Sequence, residues 1–426
     1  MSLAGIPAKH LAIGLLIREI LAPFTGNPYD FEIWVRLGYY MTGLGSPYQK
    51  LSYAPGLSFN IVPTIGSIGY PPLSAFLFGL IYETYLLLGA ESRYLYYFLM
   101  KQPIIISDIG VAAMLAKILT LSGDHSSART ASLVWLYLPL SIIVSSIWGA
   151  LDPITLFLVL SSVYVYIAGR KLSSSLLLGL SIFLKIIPII FLPVLFIQRG
   201  MSARRKLQYA FVSLGIPLFG TLAPVIGLSW GFPGLVSTLA YQAALPGYGE
   251  MSILHPLTLV ATPRIIQVLT GLLWVPALCA TYYYIYKRQL GLIDAFLLSI
   301  IVFSISRPFL PEQWAIYPLA FILIIQGHAN WGHFVGLGLV STLFLLTNNV
   351  LLVLFIGPVW SGALPLGHAI FNSHAIAFHV LDSLLAGLFF VESSLLMSKR
   401  ESLVYRALRI SWVKLIFIVN SARLMR

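Results

Sequence analysis

Apolar residues in this chain come in long runs, separated by short stretches that hold most of the charge. Alternation of period two is nowhere sustained. A helix that crosses a bilayer needs about 20 mostly apolar residues, and the runs Tyr209–Leu228, Ile265–Tyr286, Leu290–Ser306, Gln313–Gln326, Phe334–Ile356 and Ala375–Met397 fit such spans. Basic residues collect in the segment from Arg199 to Lys206, at Lys287-Arg288 and from Lys399 onward. These mark the cytoplasmic side by the positive-inside rule. The segments 229–252, 307–312 and 357–374 then face outside. So does Thr25 to Tyr70, because the first apolar stretch starts from a basic end at Lys9.

Between Tyr70 and Arg199 two runs, Arg93–Thr120 and Ser173–Gln198, are long for one helix, and each is interrupted near its middle. The first carries Lys101-Gln102-Pro103 and Asp108; the second carries Lys185 and Pro188. Read as single spans, they place Arg170-Lys171 outside, against the charge rule. Read as two short helices each, they place Arg129, Arg170 and Lys171 inside and Asp108, Asp152 and Lys185 outside. The second reading is preferred. It requires half-helices of about 21 Å, shielded by neighbours or lining a wet cavity. The predicted fold is all-α: a polytopic transmembrane bundle of about 14 segments, or 12 as the fallback. A long first external loop, 25–71, carries short juxtamembrane helices.

Composition agrees with this class. Of 426 residues 58% are hydrophobic and 9% charged, and mean hydropathy is +0.90, whereas a soluble domain carries about 25% charged residues. The formal charge of +12 is accounted for by loops and tail facing anionic lipid, so nucleic acid is not an expected partner. The single cysteine, Cys279, allows no intrachain disulfide and no cysteine metal site. Leu11 to Phe24 contains Arg18 and Glu19 and lacks a small-residue cleavage site, so it reads as an uncleaved first helix. No internal repeat or low-complexity linker is evident. Residues 1–398 form the expected catalytic bundle. The tail 399–426 alternates Arg400, Arg406, Arg409 and Lys414 with Leu403, Leu408, Trp412 and Ile416, as a basic amphipathic helix on the inner leaflet would.

Candidate chemistry concentrates on the external side. The first loop reads Gly26-Asn27-Pro28-Tyr29-Asp30-Phe31-Glu32-Ile33-Trp34, then Gly45-Ser46-Pro47-Tyr48, then Tyr70-Pro71-Pro72. Loops of this length are usually functional or disordered. Asp30 and Glu32 are either a carboxylate base whose proton affinity is raised by partial burial, or a solvated pair with Asp30 as helix N-cap. Asp108, Asp152 and Lys185 fall in or beside apolar runs, where charge is costly and marks a site. The alternative is a structural pair, Lys185 with Asp108 or Asp152. In the hairpin Arg307-Pro-Phe-Leu-Pro-Glu312-Gln313-Trp314, Arg307 could grip a phosphate while Glu312 and Gln313 position a sugar hydroxyl. Equally, Arg307 and Glu312 could be a plain ion pair. His368, His374 and His379 lack the spacing of a helical metal site, so neither metal nor other cofactor is expected. A phosphate-cradling glycine loop and a serine elbow are both missing.

Taken in order, these motifs resemble the GT-C superfamily of membrane glycosyltransferases. The residues concerned are Tyr29 to Trp34, Gly45 to Tyr48, Tyr70-Pro71-Pro72, Lys101 through Asp108, Trp148-Gly149 through Asp152, and Gly179 to Lys185 with Pro188. The likeness is greatest to archaeal mannosyltransferases similar to the catalytic subunit of glycosylphosphatidylinositol mannosyltransferase I. It covers roughly Asp30 to Trp314, and the Gln313-Trp314 stretch resembles a late external motif of that group. The resemblance implies an enzyme that moves a sugar, mannose by family expectation, from a polyprenyl-phosphate donor to a glycolipid, lipid-linked glycan or protein hydroxyl, with inversion. It implies that the family's acid pair falls on Asp30 and Glu32, here Asp-x-Glu where related enzymes often have two aspartates, with Asp30 the base candidate. Lys185 and Arg307 are the candidates for the donor phosphate. The location expected is the cell membrane of a prokaryote or the endoplasmic reticulum membrane of a eukaryote. The competing reading is a polytopic transporter or lipid flippase, which broken helices and buried charges would also suit, although transporters often carry inverted repeats.

Overall fold

The computed structural model describes residues 2–410 except 4, 50, 52–56, 58–68, 90, 199, 245–248, 251, 255–256, 258–262, 327–330, 349–351, 399, 401 and 408. Much of the first loop beyond Leu51, and Lys399, Leu408, Trp412, Lys414 and Ile416 of the tail, lie outside the described residues. The described chain is almost wholly helical, and its strands are two-residue bridges such as Gly249–Glu250 with Phe309–Leu310. Among the described residues four helices are long and apolar enough to cross a membrane: Arg93–Leu121, Ala203–Gly227, Ile265–Arg288 and Ala375–Met397. A fifth candidate is the pair His125–Tyr137 and Pro139–Trp148, bent by 54°. Leu207, Phe211, Phe219, Ile226, Ile265, Leu269 and Tyr283 stand exposed on two of these helices. Such a surface is consistent with lipid and out of keeping with water.

The chain begins with α1 (Ala8–Leu21), followed by α2 (Pro28–Thr42), α3 (Pro72–Leu87) and α4 (Arg93–Leu121). Helix α4 is continuous for 29 residues with Pro103 inside it, which corrects the expectation of two short helices. Its interrupting charges need no break because other elements satisfy them. Arg18 of α1 pairs with Asp108 at 2.6 Å, and Lys101 donates to carbonyls at the end of α1. These two contacts also set direction. Moving along α1 from Arg18 to Ala22 corresponds to moving along α4 from Asp108 back to Lys101, so the helices are antiparallel. Helices α2 and α3 therefore return the chain to the end of the bundle where α1 left it. They pack on one another, with Trp34 stacked on Phe78 at 4.4 Å. Gly38 permits the approach, since a Cβ there would meet Phe78 O at 2.9 Å.

The second run expected to break does break. Helix α5 (His125–Tyr137) is followed by α6 (Pro139–Ile142) and a π-helical turn, Ile143–Trp148; then come α7 (Asp152–Ile167) and α8 (Lys171–Leu184). Lys185 adopts an extended conformation (φ −147°, ψ 125°), ending α8 before a 3-10 turn, Ile187–Phe191, and α9 (Leu192–Ile197). Helices α7 and α8 are antiparallel, tied by Ser162 with Ser174 at 2.9 Å near the ends that adjoin in sequence and by Asp152 with Lys185 at the opposite ends. Helix α10 (Ala203–Gly227) runs parallel to α8, with Tyr209 bonded to Ser174 and Phe183 against Gly220.

After α11 (Phe232–Ala244), α12 (Arg264–Gly271) and α13 (Trp274–Arg288), helix α14 (Leu292–Ser306) leads through a hairpin and a 3-10 turn, Glu312–Ala315, into α15 (Ile316–Ile325). Helix α15 is almost completely buried at the centre of the larger core. Helix α16 (Trp331–Asn348) packs on α18 (Ala375–Met397), with Thr347 donating to Asp382 at 2.7 Å; α17 (Ala363–Ser373) lies between them in sequence. The tail enters against this pair, where Val404 N donates to Glu392 at 2.9 Å. A second, aromatic core of Phe31, Trp34, Phe78, Tyr82, Tyr96 and Tyr97 joins α2 and α3 to the start of α4.

Candidate functional site

Helix α2 starts at a built cap. The Asn27 side chain accepts from Tyr29 N and Asp30 N at 3.0 and 3.2 Å, with Pro28 in the first turn. Asn27, and not Asp30, is therefore the N-cap. Asp30 sits in the first turn, where the N-terminal end of the helix favours a negative charge. Its carboxylate turns toward the bundle and accepts from Trp148 Nε1 at 2.6 Å. Trp148 is held there by its own backbone: its carbonyl accepts from Asn27 N at 3.2 Å. Gly149 then reverses the chain at φ 81°, a conformation other residues rarely adopt.

Asp152 opens α7 three residues later. Its Oδ1 accepts from Lys185 Nζ at 2.7 Å, both side chains being nearly buried. This resolves the structural-pair alternative in favour of Asp152 over Asp108. The Lys185 ammonium also lies 5.7 Å from the Tyr70 ring and 5.6 Å from that of Trp314. Trp314 packs on Phe303 at 5.6 Å, and the Arg307 guanidinium lies 5.3 Å from that same Phe303 ring. Burial draws the Arg307 guanidinium down to about 10, so it stays charged at neutral pH. Glu312 and Gln313, in the 3-10 turn beside Trp314, are buried. Among the described residues Gln313 Oε1 has no hydrogen-bond partner, a costly state for a buried acceptor.

Asp30 is within electrostatic reach of this second group. Burial raises its carboxyl above the ordinary range; the Trp148 hydrogen bond and the Lys185 charge draw it back, while the Asp152 charge pushes it up. Asp30 on Trp148 thus lies within electrostatic reach of Asp152 and Lys185 between Tyr70 and Trp314, while Arg307 reaches Trp314 through Phe303 and Glu312 and Gln313 adjoin it in the chain.

Glu32 and Asp108 have other surroundings. Glu32 is fully buried and accepts from Arg36 of its own helix at 2.8 and 2.5 Å. Asp108 lies about two turns, ~10 Å, along α4 from Lys101, in a closed cluster with Arg18 and Trp135, whose indole donates at 2.9 Å. His368, His374 and His379 go to separate neighbours: Tyr29 at 2.5 Å, Ser373 at 2.9 Å and the Phe371 ring at 5.5 Å. A cavity of about 550 Å³ bounded by Thr281, Tyr284, Asp294 and Met397 lies at the opposite end of α14 from Arg307.

Two contributors escaped the sequence reading as individual residues. Trp148 was legible only as part of a motif, and Lys101 only as an interruption of an apolar run. The available signal was the coincidence of several unexplained polar or indole groups near run ends. The chain matches no model of a known protein family and no curated protein sequence, so the geometry of the site carries the functional reading.

Proposed function

We propose that this chain is an integral membrane glycosyltransferase of GT-C type. It transfers a sugar, mannose in the first instance, from a polyprenyl-phosphate donor to an acceptor hydroxyl on the external side, with inversion. The observation that carries this reading is a half-buried carboxylate, Asp30, with no ion-pair partner among the described residues, held by the Trp148 indole within electrostatic reach of the Lys185–Asp152 pair. The acceptor is a glycolipid, a lipid-linked glycan or a protein.

The chemistry needs little more than these groups. Asp30 accepts the proton of the acceptor hydroxyl as the new bond forms to the anomeric carbon and the bond from that carbon to the phosphate oxygen breaks. A positioned base contributes typically about 10²–10⁴-fold. The polyprenyl phosphate departs as an anion, stabilised by Lys185 and Arg307, in a site walled by aromatic rings that exclude water. Gln313 Oε1 supplies a buried acceptor for a sugar hydroxyl. Glu32 is assigned a structural role with Arg36, and Asp108 one with Arg18. Those closed pairs also weigh against a transport pathway through α1 and α4.

Twelve crossings account for the chain in a bilayer, the lower number expected. They are α1, α4, α5 with α6, α7, α8, Ile187–Ile197, α10, Ile265–Arg288, α14, Glu312–Ile325, α16 and α18. This assignment puts Arg129, Arg170, Lys171, Arg204, Arg205, Lys206, Lys287 and Arg288 on the inner side, as the charge rule asks, and the Asp30 group outside.

The test is transfer from radiolabelled polyprenyl-phosphate mannose by the purified protein, run across several lipid-linked sugars. Asp30→Asn is expected to lose at least about 10²-fold in turnover. Transfer that survives this substitution unchanged removes Asp30 from the role, and the lack of transfer from any lipid-linked sugar by the unaltered protein overturns the reading.

A further inference from the structure

Lys101 is fully buried in α4, and among the described residues no carboxylate stands within ion-pair distance of it. Its ammonium is instead surrounded by chain oxygens. Nζ donates to Ala22 O at 2.9 Å, Thr25 O at 2.6 Å and Ser146 O at 2.6 Å, with Thr25 Oγ1 at 3.2 Å and Ile147 O at 3.3 Å. The Phe31 ring covers it at 5.3 Å. Three donors on one nitrogen therefore serve two chain ends. One follows α1; the other is the last turn of Ile143–Trp148. Carbonyls that end a helix carry partial negative charge and have no partner of their own, so a cation is the group that can draw two such ends together.

The two segments held there are those that deliver the site. Two residues beyond Thr25 is Asn27, the cap of α2; two residues beyond Ser146 is Trp148. The segments are tied further by Thr25 Oγ1 to Ser146 O at 3.2 Å and Asn27 N to Trp148 O at 3.2 Å. We propose that Lys101 is a positioning residue that, by holding Thr25 and Ser146 together, fixes the Trp148 indole on the Asp30 carboxylate. Lys101 touches neither Asp30 nor any substrate position. Its influence passes through one hydrogen bond, and that bond favours the ionised carboxylate. The other groups acting on Asp30 are Lys185 and Asp152 at the α7 and α8 ends. On α2 itself Glu32 pairs with Arg36, and Tyr29 of α2 meets His368 of α17. None of these touches Lys101.

The consequence for catalysis rests on the glycosyl-transfer reading, whereas the positioning itself is measurable without turnover. The full-length protein in detergent is treated with dicyclohexylcarbodiimide, which modifies protonated carboxyls, and the modification at Asp30 is followed by mass spectrometry against pH. Lys101→Met and Trp148→Phe are each expected to move the midpoint upward by about one pH unit, and the double variant no further than either. An unmoved midpoint in Lys101→Met, or shifts that add in the double variant, overturns the proposal. Should Lys101→Met fail to give monodisperse protein, Thr25→Val decides: an upward shift of smaller size supports the proposal, and an unchanged midpoint rejects it. In a protein that transfers sugar, the acidic limb of kcat moves with the same midpoint while KM stays put. A protein without transfer activity that still shows the carbodiimide shift overturns the enzymatic reading and leaves the positioning role standing.

Discussion

Lys185 and Asp152 are 33 positions apart in the chain and meet at 2.7 Å, at the point where α8 stops and α7 starts. The extended backbone at Lys185 is what allows this. Had α8 continued, residue 185 would have carried its side chain onward around the helix instead of across to α7. The ammonium that results is held by a carboxylate on one side and by Tyr70 and Trp314 on the others.

Breaking this pair should cost both stability and function. Lys185→Met leaves Asp152 buried without its counter-charge, and removing one member of a buried pair typically costs about 3–5 kcal/mol. The double variant Asp152→Asn/Lys185→Met should recover most of that loss in a thermal unfolding assay and none of the transfer activity. Recovery of activity in the double variant would exclude Lys185 from the phosphate site.

Arg18→Met and Asp108→Asn should each destabilise the protein by about 3–5 kcal/mol, since each strands a charge in the closed cluster between α1, α4 and α5. Turnover per folded molecule should stay within about twofold of the unaltered protein, because no group of the site depends on that cluster. A specific loss of turnover at constant folded fraction would return Asp108 to the site.

The two acids of α2 should separate cleanly. Glu32→Gln strands Arg36 and is expected to lower the melting temperature while leaving specific activity nearly intact. Asp30→Asn should do the reverse. Purified variants compared by thermal scan and transfer rate decide the matter, and a Glu32→Gln protein that folds normally but is inactive would reverse the assignment.

Stability and pH follow from the raised proton affinity of Asp30. A carboxyl whose folded value lies above its unfolded value of about 3.9 binds its proton more tightly in the folded state. Its favourable contribution is therefore complete below that unfolded value and is lost as pH rises through the folded one. Asp30→Asn should consequently melt higher than the unaltered protein at pH 7, with the difference vanishing below about pH 4. A variant that melts lower at neutral pH would mean that the charged carboxylate is a net stabiliser.

Side can be tested independently of chemistry. With Cys279, which is exposed, changed to serine, single cysteines at the exposed positions Glu91 and Arg170 should react with an impermeant thiol reagent from opposite faces of sealed vesicles, Glu91 from outside. Reversed labelling would put the Asp30 group on the cytoplasmic side.

Apolar run lengths and the scarcity of charge determined by themselves that this is an all-helical chain suited to lipid. Both are local properties: a run of about 20 apolar residues has few stable fates other than a membrane helix, whatever surrounds it. Tertiary structure alone decided what each buried charge does. Lys101 and Asp108 looked like a break in α4, and Lys185 is a real break in the second run. Any of the three is simply a charge in an apolar run until the partner is known. Arg18 and the carbonyls of Ala22, Thr25 and Ser146 satisfy the first two from other helices, so α4 continues. In the same way Glu32 and Asp30, two residues apart in sequence, part company because one faces Arg36 inside α2 and the other faces Trp148 across the bundle. Desolvation and pairing act through space, and the neighbours that impose them come from segments that no local pattern connects.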